Sequence, residues 1–122
     1  MDFSSISAAL MKRRARRARH SWHSVRAVLA RLGNPQNNLK FVHVTGTNGK
    51  GSVARLCALS LEAAGLKTGL FVSPHLINLR ERISINRADI PEADFVYCAR
   101  AVAEAEPDEL TFFETLTCAA FV

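Results

Sequence analysis

The sequence predicts an α/β fold organised around a parallel sheet, and three observations support that reading. Lys40-Phe41-Val42-His43-Val44-Thr45 is a short β-branched run of the kind that forms a buried strand. Gly46-Thr47-Asn48-Gly49-Lys50-Gly51-Ser52 follows at once as a glycine-rich turn. Val53, Leu56, Cys57, Ser60, Leu61 and Ala64 then recur at helical spacing up to Gly65, and residues 67–72 read as a second strand. Strand, loop, helix and strand make a βαβ unit, whose crossover sets the two strands parallel.

Upstream of that unit, Trp22, Val25, Val28, Leu29 and Leu32 follow helical spacing and predict an amphipathic helix with those residues inward. Gly33-Asn34-Pro35 is its stop signal, a glycine past the last helical residue followed by proline. Downstream of Ser73-Pro74-His75 the pattern weakens into a long loop over residues 76–90, with a short hairpin at 82–89. Pro91 suits the first turn of a helix running to about Ala105, with Phe95, Ala99 and Val102 inward, and Pro107 breaks it. Thr111-Phe112-Phe113-Glu114 has the spacing of a capping box and opens a last apolar helix.

Composition excludes several classes. The 122 residues are 48% hydrophobic and 22% charged, which is enough apolar material for one core and too much for wholesale disorder. No run of 18 apolar residues could span a bilayer, so no membrane role is expected. Cys57, Cys98 and Cys118 are too few and too scattered for a disulfide framework or a CxxC metal site, which points to a reducing, cytoplasmic setting. Cys57 and Cys118 read as small buried hydrophobes.

The net charge of +5 is local. Residues 1–39 hold eight basic side chains and one acidic, whereas residues 40–122 hold eight basic and ten acidic. Lys12, Arg13, Arg14, Arg16, Arg17 and Arg19 crowd into eight positions, followed by His20 and His23. Such a run can be a solvated helix face, an Arg-rich organellar leader, or a phosphate-contacting patch. The solvated face is the preferred reading. No aromatic RNA-binding signature or zinc-finger spacing supports nucleic acid as a partner.

Residues 46–52 are where chemistry is expected. A glycine-rich loop between a strand and a helix turns several backbone N–H groups toward one point, and the helix end adds partial positive charge there, so the place suits a phosphate. Lys50 would reach the β/γ oxygens of a nucleotide, Ser52 could face magnesium, and Thr47 and Asn48 can supply further donors. The general P-loop G-x-x-x-x-G-K-[ST] asks for glycine at Val44 and Ser or Thr at Gly51, so the loop here departs from it. The plain structural alternative is a tight strand-to-helix turn.

HVTGTNGKGS, then GLKTGLFVSPHL and RERISIN, together with the upstream RLGNPQ and the downstream LTFFETLTCAAF, resemble the folylpolyglutamate synthase and dihydrofolate synthase family. The resemblance runs from about Val25 to Val122. The wider Mur ligases share the GTNGK core but typically continue with threonines in place of Gly51-Ser52, and they lack the SPHL…RERI stretch. The resemblance implies a P-loop nucleotide-binding domain of Mur ligase type in residues 25–122, behind a basic segment at 1–24. Only the N-terminal part of such a ligase is expected here, without the C-terminal glutamate-binding domain and inactive alone.

It also implies an ATP-dependent amide ligase that activates the carboxylate of dihydropteroate or a folate as an acyl phosphate and joins it to L-glutamate. Gly46, Thr47, Asn48, Gly49, Lys50, Gly51 and Ser52 match the family's ATP loop, with Lys50 as the catalytic cation. Ser73 matches a serine that ligates Mg²⁺, beside Ser52. Thr111 and Phe113 fall on its pterin-binding segment, and Phe113 could stack on a pterin or be a core residue. Arg80, Arg82 and Arg87 could meet folate or glutamate carboxylates, with Arg82 the chosen candidate, or sit solvated beside Glu81 and Asp89. His75 could touch the nucleotide or metal, with a hydrogen-bonded turn residue the preferred reading. A monomer is expected. Rival classes are a non-ligating P-loop kinase or NTPase, a Mur-type peptide ligase, and a basic nucleic-acid-binding protein.

Overall fold

A computed structural model describes residues 2–14, 22–106 and 110–122. Arg16, Arg17, Arg19, His20 and Pro107 lie outside the described residues. The chain forms two compact units, Met1–Leu39 with Glu92–Val122, and Lys40–Pro91.

The first unit is helical: α1 (Phe3–Arg14), α2 (Trp22–Arg31), α4 (Glu92–Ala105) and α5 (Phe112–Phe121). Val28, Leu29, Val102, Leu110, Cys118 and Ala119 form one buried cluster, with Val25, Leu32 and Cys98 packed against it. Phe95, Ala99 and Val102, three and four apart, are buried as their spacing predicts. Trp22 is the exception: it is largely exposed and lies against His23 and the Arg26 guanidinium. It occupies the first position of α2, at the edge of the stripe that buries Val28 and Leu29.

The helix stops are chemical. Gly33 takes φ 80° past α2, with its N–H on the Ala30 carbonyl and the Asn34 N–H on that of Leu29, the paired bonds of a Schellman stop. A 3₁₀ turn, Pro35–Asn38, follows. Thr111 caps α5 through the reciprocal pair with Glu114. In α1, Ile6 and Leu10 are buried. Arg13 is not part of a solvated face: its Nη1 lies 2.9 Å from both Glu106 oxygens, and reaches the Leu110 carbonyl and Thr115 Oγ1 at 3.4 Å.

The second unit contains α3 (Lys50–Ala63), β1 (Gly69–Phe71), β2 (Ile83–Ile85) and β3 (Ala88–Asp89). The sheet is antiparallel in the order β1-β2-β3, with Leu70 opposite Ser84 and Ser84 opposite Asp89. This corrects the expected parallel sheet. Residues 40–45 run without a strand ladder among the described residues, and β1 pairs with the local hairpin instead. A parallel ladder needs a strand brought alongside by a crossover, whereas a hairpin closes over a few residues. Asn86 and Arg87 make its two-residue turn, both at positive φ, as a type I′ turn demands.

The apolar spacing of α3 also has a different outcome from the one expected. Only Ala58 is buried, while Val53, Leu56 and Leu59 are exposed and Cys57 is half-buried. Gly65, at φ 84°, ends this helix with the same bond pair as Gly33.

Candidate functional site

The glycine-rich loop leads straight into α3, with Gly49 as the N-cap residue at φ 75° and Gly46 at φ 146°. Both are conformations that side chains with a Cβ rarely adopt, which is why glycine stands at these two places. The first helical bond runs from the Val53 N–H to the Gly49 carbonyl at 3.0 Å. The N–H groups of Lys50, Gly51 and Ser52 therefore have no partner inside the helix and point out of its positive end. Residues 45–50 are all exposed. Lys50 curls back over its own loop, Nζ donating to the Gly46 carbonyl at 2.7 Å and to that of Thr47 at 3.3 Å. A cation poised above a turn of outward N–H groups is a receptor for a phosphate chain.

Ser73 leaves the C-terminal end of β1 and is exposed, followed by a cis bond to Pro74. The turn that it opens is closed at the base by the Val72 N–H on the Arg82 carbonyl at 2.9 Å. Inside it lies a device absent from the sequence-based expectations. Glu81 accepts N–H bonds from Leu76, Ile77 and Asn78 at 2.8, 2.9 and 2.5 Å, and Asn78 Oδ1 accepts from the Arg80 N–H at 2.9 Å. Three backbone donors hold the Glu81 carboxyl below the usual carboxylate range, the Leu76 N–H contributing most. The spacing Asn78-x-x-Glu81 is itself a capping-box signal, opening the 3₁₀ turn Leu79–Arg82.

The three arginines of this stretch do not form one cluster. Arg82 is 4% exposed and donates from Nε to His75 Nδ1 at 2.8 Å, so His75 is the hydrogen-bonded turn residue expected. Arg80 Nη1 donates to the Ile90 carbonyl at 3.0 Å, and Arg87 ion-pairs with Glu62 at 2.8 Å. A shallow hollow lined by Glu62, Gly65, Leu66, Lys67, Asn86 and Arg87 opens at the C-terminal end of α3. It is about 20 Å of helix away from the phosphate-type loop.

Thr111 and Phe113 belong to the helical unit. Thr111 is buried, its N–H donating to Glu114 Oε2 at 2.8 Å while its hydroxyl accepts the Glu114 N–H at 3.3 Å. Phe113 is 48% exposed, so it is not the core residue that an apolar helix suggests. Cys118, by contrast, is buried as expected, and burial pushes its thiol up to about 11. Among the described residues no three His, Cys, Asp or Glu side chains converge as a metal cage.

A glycine loop on a helix N-terminus, with a lysine over it and a serine-bearing turn beyond the next strand, gives an α/β protein the form of a phosphate receptor. Comparison with known proteins narrows the class. No family model matches the chain. It is 41% identical over 103 residues to the probable bifunctional folylpolyglutamate synthase/dihydropteroate synthase of Haloferax volcanii, a span covering 78% of this chain and 12% of that protein. It is 47% identical over 78 residues to the folylpolyglutamate synthase of Lacticaseibacillus casei, covering 64% and 18%, and 38% identical over 97 residues to the dihydrofolate synthetase of Saccharomyces cerevisiae, covering 77% and 23%.

The solved structures agree. The apo form of L. casei FPGS superposes with a TM-score of 0.90 at 35% identity, covering 99% of this chain and 32% of that one. An FPGS–AMPPCP–folate complex gives 0.89 at 36% identity, and E. coli FolC in complex with DHPP and ADP gives 0.88 at 33%. The chain belongs to the folylpolyglutamate synthase and dihydrofolate synthase family. It spans less than a quarter of the length of the curated relatives that it matches here.

Proposed function

We propose that the intact protein is an ATP-dependent amide ligase that adds L-glutamate to dihydropteroate, to folates, or to both. The observation behind this reading is the loop of residues 46–52: two glycines at positive φ, outward N–H groups at the start of α3, and Lys50 bonded to the loop carbonyls of Gly46 and Thr47. The ligands in the solved relatives, an ATP analogue with folate and ADP with DHPP, support the same substrate classes. Residues 25–122 are then part of the ATP-binding domain of a Mur-type ligase.

In this reading the substrate carboxylate takes the terminal phosphoryl group of ATP, giving ADP and an acyl phosphate. The glutamate amine attacks the acyl carbon and inorganic phosphate leaves, completing the amide. Lys50 exchanges its two carbonyl partners for phosphate oxygens, where its charge offsets the negative charge building on the bridging oxygen. The loop N–H groups bind the nonreacting phosphate oxygens and fix the chain in line.

Magnesium fits this donor set as a companion of the nucleotide. Ser52 and Ser73 offer neutral hydroxyl oxygens, both exposed, and phosphate and water oxygens complete a shell that the ion prefers to fill that way. When bound, the ion neutralises phosphate charge. Of the substrate-binding candidates, Phe113 presents its ring to solvent, where a pterin could stack. Arg82 and Thr111 are buried, so their contribution runs through the His75 turn and the α5 start that they hold.

Lys50→Ala in the intact protein is expected to lower ATP-dependent glutamate addition by about 10³-fold, measured as chain-extended product by chromatography. Near-normal product would remove Lys50 from the mechanism. A wild type that consumes ATP without glutamate addition would overturn the ligase reading itself.

A further inference from the structure

Leu76 and Ile77 are 92% and 93% exposed, yet their backbone is among the most tightly bonded outside the regular elements. Two adjacent aliphatic side chains in water gain nothing from being held in one place. Fixing a loop backbone costs about 1–2 kcal/mol per residue in conformational entropy, so a device that does it for side chains without packing serves something other than packing.

Resting on the ligase reading, we propose that Glu81 is a positioning residue. Its carboxylate holds Leu76, Ile77 and Asn78 so that the Leu76 and Ile77 side chains are presented, already ordered, to the aryl portion of the acid substrate. Five features of the turn support the assignment. The Val72 N–H closes its base on the Arg82 carbonyl, and Arg82 Nε braces His75. Asn78 caps the Arg80 N–H. Glu81 then gathers the three successive N–H groups at the tip, which no backbone carbonyl could do at once. Ser73, the magnesium candidate of the ligase reading, opens the same turn three residues before Leu76, so the tip and that candidate share one braced segment.

The binding-competent fraction of the loop multiplies directly into apparent affinity. In the intact protein, Glu81→Ala is therefore expected to raise KM for the pteroate or folate acid about tenfold, with kcat and KM for ATP within about twofold. Glu81→Gln, which keeps one acceptor oxygen, should recover part of that loss. Hydrogen exchange supplies a readout independent of activity: the Leu76, Ile77 and Asn78 amides should exchange at least about tenfold faster in Glu81→Ala, with those of α4 and α5 unchanged.

Unchanged exchange at these three amides would overturn the inference, as would faster exchange with an unaltered KM for the acid or a shift in KM for ATP instead. If the wild type ligates and Glu81→Ala matches it, the inference falls and the ligase reading stands. If the wild type does not ligate, the ligase reading falls, and the presentation of Leu76 and Ile77 to an acid substrate falls with it.

Discussion

At the residue scale, two titratable groups show how position alone sets chemistry. Cys118 and Cys57 have the same thiol, but Cys118 is enclosed in the helical core with Glu114 and Glu106 nearby, and its pKa is pushed up to about 11. Cys57 sits half-buried on α3. A thiol reagent at pH 8 should therefore modify Cys57 first and leave Cys118 intact until the fold opens, which mass spectrometry of the labelled peptides can read. Glu81 is the opposite case, held low by the N–H groups of Leu76, Asn78 and Ile77, with His75 adding a smaller pull. A carboxylate depressed in the folded state contributes stability that is present above its unfolded pKa and is lost as pH falls through the folded value. Exchange protection at residues 76–78 should thus persist at neutral pH and fade only as pH falls through the lowered Glu81 value, with a flat profile in Glu81→Gln.

Elements in this chain are held at their ends. α5 starts at Thr111, whose reciprocal bonds with Glu114 are buried. Thr111→Val keeps the bulk and removes the hydroxyl acceptor. It is expected to cost about 1–2 kcal/mol in a denaturant titration, with Thr111→Ser nearly neutral. The same capping pattern, the Gly33 stop and the period of α4 could all be read from the sequence, because each needs only residues three or four apart.

What could not be read depends on distant partners. The run Lys40-Phe41-Val42-His43-Val44-Thr45 has the composition of a strand, and composition says nothing about whether a neighbour is present to form a ladder. The rhythm of Val53, Leu56 and Cys57 marks an apolar side of α3 without saying what covers it. Trp22 misled because helical spacing gives the face of a residue and not whether a neighbour covers it at the open first turn of α2. Glu81 was passed over for another reason: in a stretch with three arginines it read as their counter-ion, while its bonds go to backbone N–H groups.

For the molecule as a whole, the division into two units separates the places where mutations act. Residues 46–52, Ser73 and Arg82 belong to the 40–91 unit, and Thr111 and Phe113 to the helical one. Leu116, fully buried in α5, is a core residue of the helical unit. Leu116→Ala is expected to cost about 3 kcal/mol and to speed amide exchange in α4 and α5. The loop at Lys50 should keep its exchange pattern in that variant until global unfolding takes over. The family was legible from the order of GTNGKGS, SPHL and RERI along the chain. The sheet was not, since the parallel arrangement expected of a βαβ unit gave way to a local antiparallel hairpin on β1.

The bare stretch at 40–45 has a practical side. Phe41 and Val42 are exposed in it, and it forms no strand ladder among the described residues. A short β-prone stretch of that kind is a template on which other chains can add, and natural proteins guard such edges with lysine. Handled in concentrated solution, this polypeptide should cloud with time and temperature, and Val42→Lys should slow the rise in light scattering without touching the phosphate-type loop that follows.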